Sequence, residues 1–182
     1  MNDLSACAGP PPESSSWLQV PGYGKTTFVA DACRRSGTKV AWFGLDFDDQ
    51  DPEIFLEGGY QAIKSALPDF SSSAMDMVRH LSGESIPGAL QAVLSLLEDL
   101  EEQLDGPLSL VIDDFHLVES PAINRLVSRL VKYTPSALRL ILISRTMPSL
   151  ELAHLRAKGE LELWGERELQ LADCFYTNYR DT

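Results

Sequence analysis

The sequence predicts an α/β domain, a parallel sheet flanked by helices in three layers. Three observations point there. Residues 39–45 (KVAWFGL), 108–112 (LSLVI) and 138–143 (LRLILI) are short continuous apolar runs, as expected of strands buried in a parallel sheet. Between them lie stretches of about 10–18 residues with apolar side chains at helical spacing. Strand and helix alternate along the chain, the order that builds parallel sheets through helical crossovers.

The elements follow in order. Residues 1–16 (MNDLSACAGPPPESSS) are rich in Pro, Ser and Gly and read as a flexible tail. Residues 17–20 (WLQV) form a short, weak strand that stops at Pro21 and Gly22. A helix over 27–36 places Phe28, Val29, Ala32 and Cys33 on one face, and Gly37 stops it. The strand over 39–45 is expected to be buried on both faces. An acidic loop, 46–51 (DFDDQD), precedes a helix from Pro52 to Leu67, with proline at its first turn. Residues 69–86 have no pattern that organises them. Leu90, Val93, Leu94, Leu97 and Leu100 mark a helix over 87–104, and Gly106-Pro107 break it. After the strand 108–112, Ile123, Leu126, Val127, Leu130 and Val131 mark a helix over 121–133. The strand 138–143, a short helix over 150–158 and a last strand over 160–164 complete a domain spanning 17–164.

Composition bounds the function. A chain of 182 residues, 44% hydrophobic and 23% charged, has room for one ordinary domain. Its formal net charge of -12 argues against a nucleic-acid surface, which needs clustered Lys and Arg, and disfavours an anionic membrane. No secretory signal and no membrane-length apolar run is present. Cys7, Cys33 and Cys174 are widely spaced and odd in number, which reads as reduced thiols of a cytoplasmic protein.

The chemistry concentrates at Pro21-Gly22-Tyr23-Gly24-Lys25-Thr26-Thr27. Gly24-Lys25-Thr26 matches the end of the Walker A pattern, whose first glycine is replaced here by Gln19. Gly22 and Gly24 let backbone N–H groups turn inward around a phosphate. Lys25 reaches the β- and γ-oxygens, the Thr26 hydroxyl is placed to ligate Mg²⁺, and the following helix points its positive end at the same anion. ATP or ADP with Mg²⁺ is the cofactor this implies. Asp113-Asp114 follow the strand 108–112 at the edge where such sheets bind ligands. Asp113 is assigned to the Mg²⁺ shell and Asp114 to the attacking water; a helix-capping Asp114 is the bland alternative. Arg145 ends the next strand and is placed to touch the γ-phosphate.

Other candidates are weaker. Asp46, Asp48, Asp49 and Asp51 lack the glycine and glutamate of a calcium loop, and Asp46 either faces the nucleotide or caps the next helix. His80, His116 and His154 lack metal-ligand spacing. His116, just after the acidic pair, reads as helix-start packing or as a group behind the site.

The runs VPGYGKTT, VAWFGLDFDDQDPEIFL, LVIDDFHLVESPAI and LRLILISRTMPSLELAHLRAKGEL resemble the ATPase domain of MalT-like, LuxR-type transcriptional regulators, of the STAND class of P-loop NTPases. The likeness spans residues 20–171. It implies strand order 5-1-4-3-2, Walker B and sensor roles for Asp113, Asp114 and Arg145, and ATP-dependent switching with self-association. It also implies that residues 165–182 begin a linker toward a missing C-terminal region that holds the family's DNA-binding domain. Two functions stay open at this level. One is a regulatory ATPase module with slow hydrolysis; the other is a non-catalytic nucleotide-binding or interaction fragment. A small-molecule kinase would want an Arg-rich lid, and none is visible.

Overall fold

The computed structural model describes residues 15–19, 25–79, 86–150 and 161–164. Five strands, β1 (Ser15–Gln19), β2 (Lys39–Gly44), β3 (Leu108–Asp113), β4 (Leu138–Ser144) and β5 (Leu161–Trp164), form one sheet. Every strand pair is parallel, in the order β2-β3-β4-β1-β5. Read from the other edge this is 5-1-4-3-2, as the resemblance implies.

The helices are α1 (Lys25–Ser36), α2 (Pro52–Ala66), α3 (Ala74–Arg79), α4 (Ile86–Gln103) and α5 (Pro121–Lys132). Side chains alternate across the sheet and divide the core in two. On one face Val111, Ile141 and Ile143 pack with Val29 and Cys33 of α1. On the other, Leu110, Ile112, Leu140 and Leu142 join the apolar stripes of α2 to α5. The domain is a three-layer α/β/α sandwich of the P-loop NTPase type, with α1 alone on one face among the described helices.

Local signals explain several boundaries. Asp51 caps α2 by accepting from the N–H groups of Glu53 and Ile54, and Pro52 follows it. Ser120 caps α5 through the N–H of Ile123, ahead of Pro121. Gly37, at φ 67, leaves α1 in a left-handed turn that glycine adopts without steric cost.

Three expectations are corrected. Strand β1 starts at Ser15, so the last two residues of the expected tail pair with Leu161 and Glu162 of β5. Serine has little strand preference, but pairing with β5, joined from Ser16 onward by pairing with β4, decides the boundary. Strand β2 is not buried on both faces. It is an edge strand, with Ala41 and Phe43 buried, Val40 and Trp42 half-buried, and Lys39 exposed. The unorganised stretch after Pro68 holds α3, anchored by Asp99 of α4, which accepts from Ser72 Oγ at 2.6 Å and Ser73 N at 3.1 Å. The acidic loop contains a 3₁₀ turn, Phe47–Gln50. The expected helix over 150–158 lies outside the described residues except for Leu150, which is not helical.

Candidate functional site

Strands β1, β3 and β4 all end at one edge of the sheet, and α1 starts there. Pro21, Gly22, Tyr23 and Gly24 lie outside the described residues; the loop's end is described from Lys25 onward.

Lys25, the first residue of α1, is 7% exposed, unusual for a cation. Its Nζ donates to the backbone carbonyl of Ser144, the last residue of β4, at 2.6 Å. Thr26 Oγ1 donates to Asp113 Oδ2 at 3.0 Å, a hydrogen bond that joins α1 to the end of β3. Thr27 is exposed one position further along α1.

Asp113 is 6% exposed. Burial pushes its carboxyl above the ordinary carboxylate range, opposed by the hydrogen bonds from Thr26 and from the backbone N–H of Asp114. That N–H reaches Asp113 Oδ1 at 2.9 Å, so both oxygens of the carboxylate are engaged. Lys25 is displaced the opposite way for the same reason. Burial lowers its pKa first, and the neighbouring positive charge of Arg145 lowers it further, while Asp114 and Asp113 oppose both. Arg145 itself is exposed and forms no salt bridge among the described residues. The fold thus gathers two cations and two carboxylates from three distant segments at one sheet edge.

Asp114 does not cap the turn that follows it. It sits in the left-handed region at φ 58 and ψ 35, and its side chain accepts no capping hydrogen bond. Its Oδ1 is instead 3.7 Å from His116 Nδ1. His116 lies in the 3₁₀ turn Phe115–Leu117, and its part-buried side chain (17% exposed) flanks the site through Asp114.

Asp46 takes the capping alternative. Its side chain accepts from Asp48 N at 2.8 Å, while Asp49 Oδ2 accepts from Asp46 N at 2.8 Å. Among the described residues no group of three or more His, Cys, Asp or Glu could hold a metal by itself. Nor is any described helix long and apolar enough to cross a membrane.

Two participants were not legible beforehand. The Ser144 carbonyl is a backbone atom, and residue type carries no signal for it. His116 was visible only as a neighbour of the acidic pair, because its approach to Asp114 depends on the left-handed turn.

No protein-family model matches the chain. Among curated proteins it is 34% identical over 148 residues to the HTH-type transcriptional regulator MalT of Yersinia enterocolitica, and 35% identical to that of Yersinia pestis. Both alignments cover 81% of this chain and 16% of the relative, so the chain spans about a sixth of the proteins it matches. Among solved structures, the Aeropyrum pernix ORC1 protein in complex with DNA matches with a TM-score of 0.53 at 17% identity, covering 85% of this chain and 39% of that one. Drosophila ORC bound to AT-rich DNA and Cdc6 matches with a TM-score of 0.50 at 12% identity, covering 84% and 48%. At such identities these two structures speak for the fold alone. Over 148 residues, 81% of its length, the chain is similar to the MalT transcriptional regulators, and the match falls on a P-loop-type α/β domain.

Proposed function

We propose that the chain is an ATP-binding regulatory module of the STAND type, in which slow hydrolysis of ATP resets a switch. The observation that carries this reading is the convergence of Lys25, Thr26, Asp113 and Arg145 at the carboxyl edge of β3 and β4. A buried lysine crowded by an arginine is electrostatically costly by itself, and an anion between them removes the cost. A nucleoside triphosphate supplies that anion.

The roles follow from the chemistry of each group. Gly22, Tyr23, Gly24 and Thr27 offer backbone N–H groups to the phosphates, and Pro21, which has none, precedes them in the loop sequence. Lys25 leaves the Ser144 carbonyl for the β- and γ-oxygens. The Thr26 hydroxyl and the Asp113 carboxylate are hard oxygen donors already 3.0 Å apart, a pair suited to Mg²⁺ completed by water and phosphate. That ion, when bound, neutralises charge on the phosphate oxygens. Asp114 orients or deprotonates the attacking water, and Arg145 senses the γ-phosphate. The chain itself makes no direct nucleic-acid contact in this reading, given its net charge of -12. Its partners are self-association or further domains of a larger regulator, in a cytoplasmic setting.

Titration calorimetry with ATP and Mg²⁺ tests the reading. Lys25→Ala abolishes binding, whereas Asp114→Asn spares binding and slows turnover. If the wild-type chain binds no ATP at about millimolar concentration, a Kd weaker than any functional switch needs, the alternative of a non-catalytic interaction fragment takes its place.

A further inference from the structure

Among the described residues the carboxylate of Asp114 caps no element of the fold. Asp46, Asp51 and Ser120 each spend a side-chain oxygen capping the element they precede. Asp114 occupies the same kind of position and caps nothing. It is also the only non-glycine residue with positive φ among those described. Aspartate tolerates that conformation better than most residues, yet it is adopted rarely and is common where a side chain must be aimed.

What Asp114 faces is His116. The Nδ1 of His116 is closed off from solvent and has no hydrogen-bond partner among the described residues, a condition that buried polar atoms rarely sustain. It stands 3.7 Å from Asp114 Oδ1. That is longer than a hydrogen bond, and a small rotation about the Asp114 side chain closes the gap. The side chain of His116 is 17% exposed and that of Asp114 47%. One partner is therefore held by its surroundings, and the other is free to turn toward it.

We infer that His116 is a positioning residue for Asp114. Its Nδ1–H donates to Asp114 Oδ1, holding the carboxylate so that Oδ2 faces the water that attacks the γ-phosphorus. In that step the water oxygen bonds to phosphorus and the bond to the β-phosphate oxygen breaks. ADP leaves, and the water proton passes to Asp114 Oδ2. This inference rests on the ATPase reading for its effect on turnover, but the His116–Asp114 contact itself is testable without nucleotide.

Two measurements on the full chain test it. In ¹⁵N NMR spectra of the histidine ring, wild type shows His116 with its proton on Nδ1, and Asp114→Ala moves that signal. In single-turnover hydrolysis, His116→Phe slows the chemical step about tenfold, a fraction of what a general base contributes, and leaves ATP affinity within about twofold. His116→Asn, whose amide places an N–H near the former Nδ1, restores most of the rate. A ring signal indifferent to Asp114→Ala overturns the contact. Equal turnover in wild type and His116→Phe overturns the positioning role while leaving nucleotide binding intact. Absence of ATP binding by wild type instead removes the ATPase reading, and the ring signal still decides the contact.

Discussion

Thr26 Oγ1 and Asp113 Oδ2 lie 3.0 Å apart although 87 positions separate them in the chain. This contact ties the first turn of α1 to the last residue of β3. It also places a hydroxyl on a carboxylate that burial drives toward protonation. The site is thus assembled at a cost to stability.

That cost predicts a pH-dependent gain. The folded-state pKa of Asp113 is raised, so its contribution to stability is fully present below the unfolded value and is lost as pH rises through the folded one. At neutral pH the ionised carboxylate is a liability. Asp113→Asn therefore raises the melting temperature of the ligand-free chain by roughly 2–4 °C at pH 7, about 1 kcal/mol for a chain of this size. The advantage shrinks as the pH is lowered through the ordinary carboxylate range. Calorimetric melting in the presence of a chelator reads it, and an unchanged or lower melting temperature at pH 7 refutes it. Lys25→Met acts in the same direction, because a lysine whose folded pKa is lowered also costs stability at neutral pH.

The sensor role proposed for Arg145 can be tested by comparing nucleotide states. It is exposed, makes no salt bridge among the described residues and stands close enough for its charge to depress the pKa of Lys25. Arg145→Ala weakens ATP about tenfold or more, the worth of one charge-assisted hydrogen bond. ADP affinity changes by less than about twofold, since the γ-phosphate is the group lost. Parallel titrations with ATP and ADP check the ratio, and equal losses for both contradict a sensor role.

Packing behind β2 gives a test of the fold. A Cβ added at Gly58 would meet Phe43 Cε2 at 2.5 Å and Cζ at 2.6 Å. Phe43 is 7% exposed and is packed against Phe55, with ring centroids 5.5 Å apart, so it has little room to yield. Gly58→Ala is expected to cost about 1–3 kcal/mol by overpacking, outweighing its gain in helix propensity of about 1 kcal/mol. The neighbouring Gly59→Ala, whose Cβ would sit 3.9 Å from the same ring, keeps the propensity gain without the clash. Denaturant midpoints in opposite directions for the two variants are the expected result.

The long elements were legible because they advertise themselves. The strands 39–45, 108–112 and 138–143 and the stripe on α5 are apolar at the right period, and Ser120-Pro121 and Asp51-Pro52 mark helix starts. Helix α3 was not legible. It is six residues long, and its anchor is Asp99, 26 positions beyond Ser73. The double burial expected of β2 failed because an apolar run does not say whether its strand is central or at an edge.

By itself the sequence determined the α/β class, the order of the long elements and the residue types suited to phosphate and Mg²⁺ chemistry. These depend on periodicity and local motif, which are properties of neighbours along the chain. Only the tertiary structure decided that Lys25 rests on the Ser144 carbonyl, that Thr26 meets Asp113, and that Asp114 turns left-handed toward His116. The first two join segments more than 80 residues apart, and parallel pairing of β3, β4 and β1 aligns their ends. The third depends on a backbone angle that no side-chain pattern announces.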